Sequence, residues 1–179
     1  MPDLLNTRPA HGEYAPYYGK YISLVPDGDI LASLREQMTE TLALLNAVPE
    51  ERAGHRYASD KWSIKEVIGH LIDTERIFAY RALRFGRADE TGLPGFDQDD
   101  YIRNASFDNY PLSDLAAEFE HVRLASIFLF RHLGEEAWGR RGAANDSEIS
   151  VRALAYIIAG HELHHREIIR GKYLSEGGA

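Results

Sequence analysis

The most strongly patterned helix of this chain opens with Trp62-Ser63-Ile64-Lys65-Glu66-Val67-Ile68-Gly69-His70. Ser63 and Glu66 match a capping box, in which the serine side chain accepts from the Glu66 amide and the glutamate reaches back to the Ser63 amide. Apolar residues then recur at helical spacing as far as about Arg87. The stretch therefore predicts an amphipathic helix whose apolar face carries Ile64, Val67, Ile68, Leu71, Phe78 and Ala82.

Three further segments carry the same periodicity, at about 29–47, 111–133 and 150–173. Four amphipathic helices in one chain indicate an all-α fold, and specifically a four-helix bundle. Between them we find no convincing strand pattern, so residues 48–62 and 135–149 are expected to be loops. A glycine after the third segment, Gly134, is interpreted as the residue that ends that helix.

The connection between the second and third helices, residues 89–110, is longer than most loops in a compact domain. Its aromatic residues can pin it against the bundle, so it is either a packed connector or a cover over a pocket. The N-terminal segment up to Pro26 is expected to run extended along the surface. The chain has 179 residues, with no repeat and no interdomain linker. We therefore predict a single helical-bundle domain over 1–179.

Composition excludes several classes of function. The chain has no cysteine, which excludes thiolate ligands and a cysteine nucleophile and fits a cytoplasmic protein. Its formal net charge is −8, which disfavours binding to nucleic acid through phosphates. No apolar run approaches the ~20 residues of a membrane span. Four arginines after His70 are interpreted as a solvated face: Arg76, Arg81, Arg84 and Arg87.

The last helix contains His161-Glu162-Leu163-His164-His165. His161 and His165 are one helical turn apart and centred on the apolar face, whereas His164 lies nearly a quarter turn towards its edge. Burying two unpaired imidazoles costs several kcal/mol, so the pair predicts a metal site. If the second and fourth helices are neighbours, His70 can supply a third nitrogen. Whether His164 takes part stays open.

The remaining histidines have no such placement. His121 and His132 point away from the apolar stripe of the third helix, and both are expected to be solvated. His11 and His55 lie in loops without a patterned partner. These four residues are therefore not expected to bind metal.

Two carboxylates are candidates for supporting the site. Glu75 falls within the apolar face of the second helix, where a carboxylate needs a partner. It either accepts a hydrogen bond from a ligand imidazole or pairs with an arginine of another helix, and the pairing is slightly favoured. Glu162, which flanks His161, is a candidate imidazole partner or general base.

The sequence also matches the residue patterns of two other kinds of metal site. His161-Glu162-Leu163-His164-His165 fits the zinc-protease pattern H-E-x-x-H, but only fourteen residues follow His165 and no strand pattern precedes the helix. Glu162-x-x-His165 and Glu118-x-x-His121 fit the di-iron bundle pattern, but His121 faces away from the apolar stripe. Both interpretations are weak.

Trp62–His70, together with Gly160-His161 and His165, resembles the DinB-like (DinB/YfiT) family of helical-bundle metalloproteins. The loop Leu93-Pro94-Gly95-Phe96-Asp97 is also similar, and the resemblance extends from about Tyr21 to Tyr173. It implies one divalent metal held by His70, His161 and His165, and a homodimer. Family members include thiol S-transferases that use small bacterial thiols, isomerases and hydrolases.

Three neutral imidazoles without a thiolate suit a divalent transition metal such as Zn²⁺ or Ni²⁺ and leave a position open for water or substrate. Such a metal can activate water for hydrolysis, or bind a thiol as a nucleophile. We therefore expect a metal-dependent hydrolase or thiol S-transferase that acts on a small molecule. A low-molecular-weight thiol would have to be a cosubstrate, since the chain has no cysteine. The alternative is a noncatalytic module whose structural metal is closed by a fourth protein ligand, for which Glu75 and Asp73 are the candidates.

Overall fold

Four long helices form the body of the protein, and the computed structural model describes residues 6–174. In chain order the elements are α1 (Gly19–Ile22), α2 (Ile30–Asn46), α3 (Glu50–Ala53), α4 (Ile64–Gly86), α5 (Gln98–Asn104), α6 (Leu112–Arg131), α7 (Glu135–Gly139), β1 (Arg141–Ala144), β2 (Ser147–Ser150) and α8 (Val151–Ile168). A π-helical turn over Ile169–Tyr173 continues α8. The four-helix bundle of α2, α4, α6 and α8 confirms the predicted fold.

Side-chain caps explain where three of these helices begin. Asp29 accepts from the Leu31 amide at 2.7 Å at the start of α2, and Ser150 accepts from the Ala153 amide at 3.0 Å at the start of α8. The capping box predicted at Ser63 is present at the start of α4. Each cap satisfies an amide that has no partner within its helix, and typically contributes about 1 kcal/mol.

The apolar core forms two clusters along the bundle. One packs α8 residues 151–159 against Phe78, Phe85 and Phe130. The other packs the first turns of α4 and α6 together and includes Leu45 and Ile169. The helix segments between the two clusters carry buried polar residues instead of apolar ones: His70, Thr74, Glu75, Arg123, His161 and Glu162. This polar layer is where a functional site is to be sought.

The segment 135–149 is not the loop that the sequence predicts. β1 and β2 pair antiparallel, and Asn145 (φ 52°) and Asp146 (φ 59°) form their turn with the two left-handed residues of a type I′ hairpin. Because β1 reads Arg-Gly-Ala-Ala, it lacks the β-branched and aromatic residues that mark a strand. Gly134 is the N-cap of α7, so the prediction that it terminates the third helix was also wrong.

From residue 6 onward the N-terminal segment is compact, so the expectation of an extended chain was wrong for this part, and residues 1–5 lie outside the described residues. It forms 3₁₀ turns over His11–Glu13 and Pro16–Tyr18 and then α1. The Arg8 guanidinium donates to the Val25 carbonyl at 2.7 Å, which folds the segment back on itself. As a result α1 packs against α8.

The connection 89–110 is also partly helical, since it contains α5 and a 3₁₀ turn over Phe107–Asn109. The Arg81 guanidinium donates to the Pro94 carbonyl at 2.8 Å, and the Leu93 amide donates to the hairpin at the Ala143 carbonyl at 2.9 Å. Arg81 is only 3% exposed, so its assignment to a solvated face was wrong. No helix within residues 6–174 combines the length and apolarity needed to cross a membrane.

Candidate metal centre

Three imidazoles meet in the polar layer between α4 and α8. His70 Nε2 lies 3.0 Å from His161 Nε2, and His165 Nε2 lies 3.1 Å from the same atom. One ligand atom from each ring lies within 4.8 Å of the other two. The neighbouring helices that the sequence argument required are present, and the three predicted side chains come together.

Two glycines permit the close packing that places these rings. A Cβ at Gly160 would lie 2.0 Å from the Tyr21 carbonyl oxygen, so only glycine lets α1 approach α8 this closely. A Cβ at Gly69 would lie 2.4 Å from the Phe107 ring, which packs the 89–110 segment onto α4. Each glycine directly precedes a histidine of the triad, so the backbone beside both rings is enclosed by a second segment.

Neighbouring side chains hold the rings of the triad in place. The Thr74 hydroxyl lies 3.4 Å from His70 Nδ1, one helical turn along α4. The Trp62 ring centroid lies 4.8 Å from that of His70, and the Tyr21 ring stands edge-on to His161 at 5.2 Å. A partner on Nδ1 leaves Nε2 free to face the centre of the triad, which is the usual support for a metal-binding imidazole.

Burial keeps the imidazoles neutral. It lowers the pKa of His70 to about 4 and that of His165 to about 3. The pKa of His161 is held well below its usual value, first by burial and then by the adjacent histidines. A metal binds only the neutral ring, so all three are in the binding-competent form at pH 7.

The donor set fits a divalent transition metal. Nitrogens bound tetrahedrally to zinc at about 2.0–2.1 Å are roughly 3.3 Å apart, and the Nε2 atoms of His70 and His165 lie 3.0 Å and 3.1 Å from that of His161. His161 Nε2 faces two other ring nitrogens, and a neutral imidazole carries one proton, so hydrogen bonds alone satisfy this group poorly. A cation between the rings would satisfy all three lone pairs.

The two candidate carboxylates, Glu75 and Glu162, pair with Arg123 and not with the imidazoles. The Arg123 guanidinium donates to Glu75 through Nε at 2.9 Å and through Nη2 at 2.8 Å. It also donates to Glu162, whose other oxygen accepts from Thr41 at 2.6 Å. The structure thus corrects the suggestion that these carboxylates support a ligand imidazole and agrees with the arginine pairing that was favoured for Glu75.

This pairing also weighs against the competing motifs. Glu162 is 1% exposed and held by Arg123, so it is poorly placed to act as the general base of a protease. Glu118 pairs with Arg76 at 2.7 Å on the surface, away from the triad. Within the described residues, the cluster able to hold a metal consists of the three histidines alone, without Asp73 or Glu75 as a fourth ligand.

The other histidines lie where the wheel argument put them. His11, His55, His121 and His132 are exposed. His164 is half-buried, with its ring 5.3 Å from Tyr21 and outside the three-histidine cluster. Its ring centroid also lies 5.1 Å from that of His165, so His164 flanks the triad without being part of the cluster.

Two clefts reach the triad from different sides. The larger, here called the aromatic cleft, has a volume of about 410 Å³ and is lined by His70 and His161 together with Tyr17, Tyr18, Tyr21, Phe78 and Phe96. The smaller, here called the His165 cleft, has a volume of about 290 Å³ and is lined by Tyr57, Trp62, His165 and Tyr173. Asp99 of α5 lines both. The 89–110 segment is thus a cover over a pocket as well as a connector.

These features define a class of protein: a four-helix bundle in which three imidazoles, two of them buried and one half-buried, converge beneath two clefts. The family model of the DinB superfamily matches residues 33–169. The chain belongs to the DinB superfamily, as its motifs indicated.

The chain is also similar to three known proteins. The curated "Putative metal-dependent hydrolase OB0413" of Oceanobacillus iheyensis is 25% identical over 123 residues, which are 68% of this chain and 70% of that protein. YfiT from Bacillus subtilis, described as "a probable metal-dependent hydrolase with an unusual four-helix bundle topology", shares the fold with a TM-score of 0.68 at 15% identity, over 92% of this chain and 93% of its own. The mycothiol-dependent maleylpyruvate isomerase gives a TM-score of 0.62 at 14% identity, over 76% of this chain and 58% of its own.

Sequence reasoning missed several residues that shape the site. Tyr21 comes from the N-terminal segment, which was expected to run extended along the surface. Thr74 was visible as a neighbour of His70 on the helix, but its contact with Nδ1 depends on the ring orientation. The role of Arg123 could not be recognised from the sequence. A single arginine within an apolar stripe resembles a residue at the edge of that stripe until its partners are known.

Proposed function

We propose that this chain is a metal-dependent enzyme in which His70, His161 and His165 hold one divalent metal. The observation that carries the proposal is the convergence of three neutral Nε2 atoms from two helices beneath two clefts. Three protein ligands leave a coordination position for water or substrate, and the clefts give access to it. The names of the curated hydrolase and of YfiT support the same assignment.

Zinc and nickel are the metals that we propose. Neutral imidazoles suit both, whereas Ca²⁺ and Mg²⁺ prefer oxygen ligands. The absence of cysteine from the sequence excludes a thiolate ligand of the chain's own. This donor set is therefore expected to retain zinc or nickel in preference to the hard cations.

The reaction that we propose is hydrolysis or S-transfer from a low-molecular-weight thiol. When bound, a divalent metal lowers the pKa of water or of a thiol and so supplies a nucleophile near neutral pH. The chain's own residues bind the substrate along the aromatic cleft, which the 89–110 segment partly covers. The name of the mycothiol-dependent isomerase supports a thiol cosubstrate, and the two hydrolase names support water.

The first experiment measures metal content. His70→Ala, His161→Ala and His165→Ala should each lose bound metal, because two imidazoles rarely retain it through purification. His121→Ala and His132→Ala are the matched controls and should keep the wild-type content, since both side chains are exposed and lie outside the cluster. Elemental analysis of the purified variants decides the point. Equal metal content in all five would refute the assignment.

A second experiment separates an enzyme from a noncatalytic module with a structural metal. Manganese-loaded protein should relax bulk water protons strongly, because the open position exchanges water through the clefts. A closed site would relax water only weakly. Screening the loaded protein for ester hydrolysis and for conjugation of thiols to electrophiles then separates the two reaction classes.

We also propose that the chain forms a homodimer and is a single domain over 1–179. The dimer is supported by membership of a family whose members commonly pair through bundle helices. The single domain is supported by the family match over 33–169 and by an apolar core that runs through all four long helices.

A further inference from the structure

Two tyrosine hydroxyls of the N-terminal segment belong to the wall of the aromatic cleft. Tyr21 is buried and Tyr17 is exposed, and both line the cleft together with His70 and His161. Their hydroxyl oxygens lie 3.3 Å apart, within hydrogen-bonding distance. These two residues are here called the tyrosine pair, and their hydrogen bonds determine what the cleft can offer to a ligand.

The tyrosine pair has more protons than its own hydrogen bond uses. Each phenolic hydroxyl carries one proton and can also accept. The bond between Tyr17 and Tyr21 uses one of the two protons, whichever oxygen donates, so one O–H is left over. When Tyr17 is the donor, the Tyr21 proton is free for a ligand, and the hydrogen bond that Tyr21 accepts strengthens the one that it donates. Because Tyr17 is exposed, water can complete its hydrogen bonds.

The surroundings of Tyr21 fix its position beside the triad. Its ring stands edge-on to His161, with the centroids 5.2 Å apart, and lies 5.3 Å from the ring of His164. Its carbonyl packs against Gly160, where no larger residue fits. Lys20 Nζ lies 4.0 Å from the Tyr17 ring centroid and 4.7 Å from that of Tyr21, so one cation holds both rings. The hydroxyl is therefore positioned before any ligand arrives, which lowers the entropic cost of a hydrogen bond to it.

We propose that the Tyr21 hydroxyl, with the Tyr17 hydroxyl behind it, donates a hydrogen bond to a carbonyl or carboxylate oxygen of the ligand in the aromatic cleft. The proposal rests on the proposed function, because it assumes that the ligand also reaches a metal at the triad. It names the substrate class as small molecules that carry such an oxygen, among them esters, amides, ketones and carboxylates. A ligand of the same shape without the oxygen would leave the Tyr21 proton without a partner, which weakens binding.

The role that follows for Tyr21 is to select the ligand and to orient it. Pockets of this kind are mostly apolar and fix the orientation of a ligand through a few polar groups. Tyrosine hydroxyls also belong to the donors that stabilise negative charge as it develops on a carbonyl oxygen. A cleft of about 410 Å³ has room for a small carbonyl compound between the tyrosine pair and Phe96.

Three probes test this role on cobalt-loaded protein. Acetate presents an acceptor oxygen close to the metal that it binds, and 3-acetylpyridine, which binds through its ring nitrogen, presents one farther away. 3-Isopropylpyridine has nearly the shape of 3-acetylpyridine but no acceptor oxygen. Dissociation constants come from the visible spectrum of cobalt and from calorimetry, and each probe is compared with itself across the variants.

Tyr21→Phe removes the hydroxyl and keeps the ring against His161 and the carbonyl against Gly160. Tyr14→Phe is the matched control. Tyr14 belongs to the same N-terminal segment and is also buried, but its hydroxyl lies 3.2 Å from His11 Nδ1 and it does not line the cleft. It therefore distinguishes a hydrogen bond to the ligand from a general loosening of the segment.

Tyr21→Phe should weaken the binding of acetate, of 3-acetylpyridine or of both by roughly fivefold, and leave 3-isopropylpyridine within about twofold of wild type. Tyr14→Phe should leave all three dissociation constants within about twofold. A uniform change for the three probes, no change, an equal effect of Tyr14→Phe, or no binding of any probe would overturn the role of Tyr21 while the metal site stands. Failure of the wild-type protein to bind cobalt would overturn the proposed function, and the role of Tyr21 with it.

Discussion

At the scale of single residues, the three imidazoles lie close together in surroundings that keep them neutral. His70 and His161 are buried and His165 is half-buried, and each has another ring nitrogen close to its Nε2. Protonation of any one would place a charge among two other rings in a poorly solvated space. The same desolvation that prepares the rings for a metal therefore makes the metal-free protein sensitive to acid.

The metal-free protein should lose stability as the pH falls below about 6.5, the value of a histidine in an unfolded chain. Between that pH and about 4, His70 is protonated in the unfolded chain but neutral in the folded protein. The free energy of unfolding therefore decreases as the pH falls through this range. Each such histidine contributes a slope of up to about 1.4 kcal/mol per pH unit. Urea unfolding at several pH values measures this slope.

His70→Ala is the control for this pH effect. It should reduce the slope between pH 6.5 and 4, because one proton fewer is taken up on unfolding. A slope that is identical in the two proteins would show that His70 is not buried as a neutral ring.

Gly160 is a second residue whose size matters to the site. Gly160→Ala should destabilise the protein by about 1–3 kcal/mol, because the added Cβ would meet the Tyr21 carbonyl at 2.0 Å and force α1 away from α8. Gly139→Ala is the matched control, since a Cβ there has open space. Urea unfolding compares the two. Equal and small effects would mean that α1 is displaced at little cost.

At the scale of elements, Arg123 joins the helices that carry the triad. From α6 it binds Glu75 of α4 and Glu162 of α8, and it donates to the Leu34 carbonyl of α2 at 3.2 Å. Glu162 directly follows His161 in the chain, and Glu75 directly follows Thr74, the partner of His70. The arginine therefore links all four bundle helices next to the site.

Arg123→Met should destabilise the protein by about 3–5 kcal/mol, because it leaves two carboxylates buried without a cation. The triple variant Arg123→Met/Glu75→Gln/Glu162→Gln removes those charges and should recover a large part of the loss. Chemical denaturation of the three proteins gives the comparison. If the triple variant were no more stable than Arg123→Met, the cost would come from lost packing and not from the unpaired carboxylates.

At the scale of the whole molecule, a metal between α4 and α8 should couple site occupancy to global stability. Thermal unfolding followed by far-ultraviolet circular dichroism and by tryptophan fluorescence should give one coincident transition. Zinc at a free concentration of 100 times Kd should add about 2.7 kcal/mol and raise the midpoint by several degrees. His165→Ala should show no such shift. Two separate transitions would contradict a single domain.

Much of this architecture could be predicted from the sequence, because it depends on local rules. The capping box at Ser63 and the 3.6-residue periodicity predicted α4 to within a residue or two. The spacing of His161 and His165 predicted that both face inward. The hairpin after α7 and the compact N-terminal segment could not be predicted, since their short elements are stabilised by contacts with distant residues and have little propensity of their own.

The four amphipathic helices and the inward direction of two histidines follow from the sequence alone, because side-chain direction along a helix follows from its period. The lack of a cysteine ligand likewise follows from the composition. The folded structure was needed to show that His70 reaches the pair, that Arg123 binds both carboxylates, and that Tyr21 and the start of α5 form the walls of the cleft. Those facts depend on which helices are neighbours and how closely they approach. Packing between residues far apart in the chain sets both, and no local pattern encodes it.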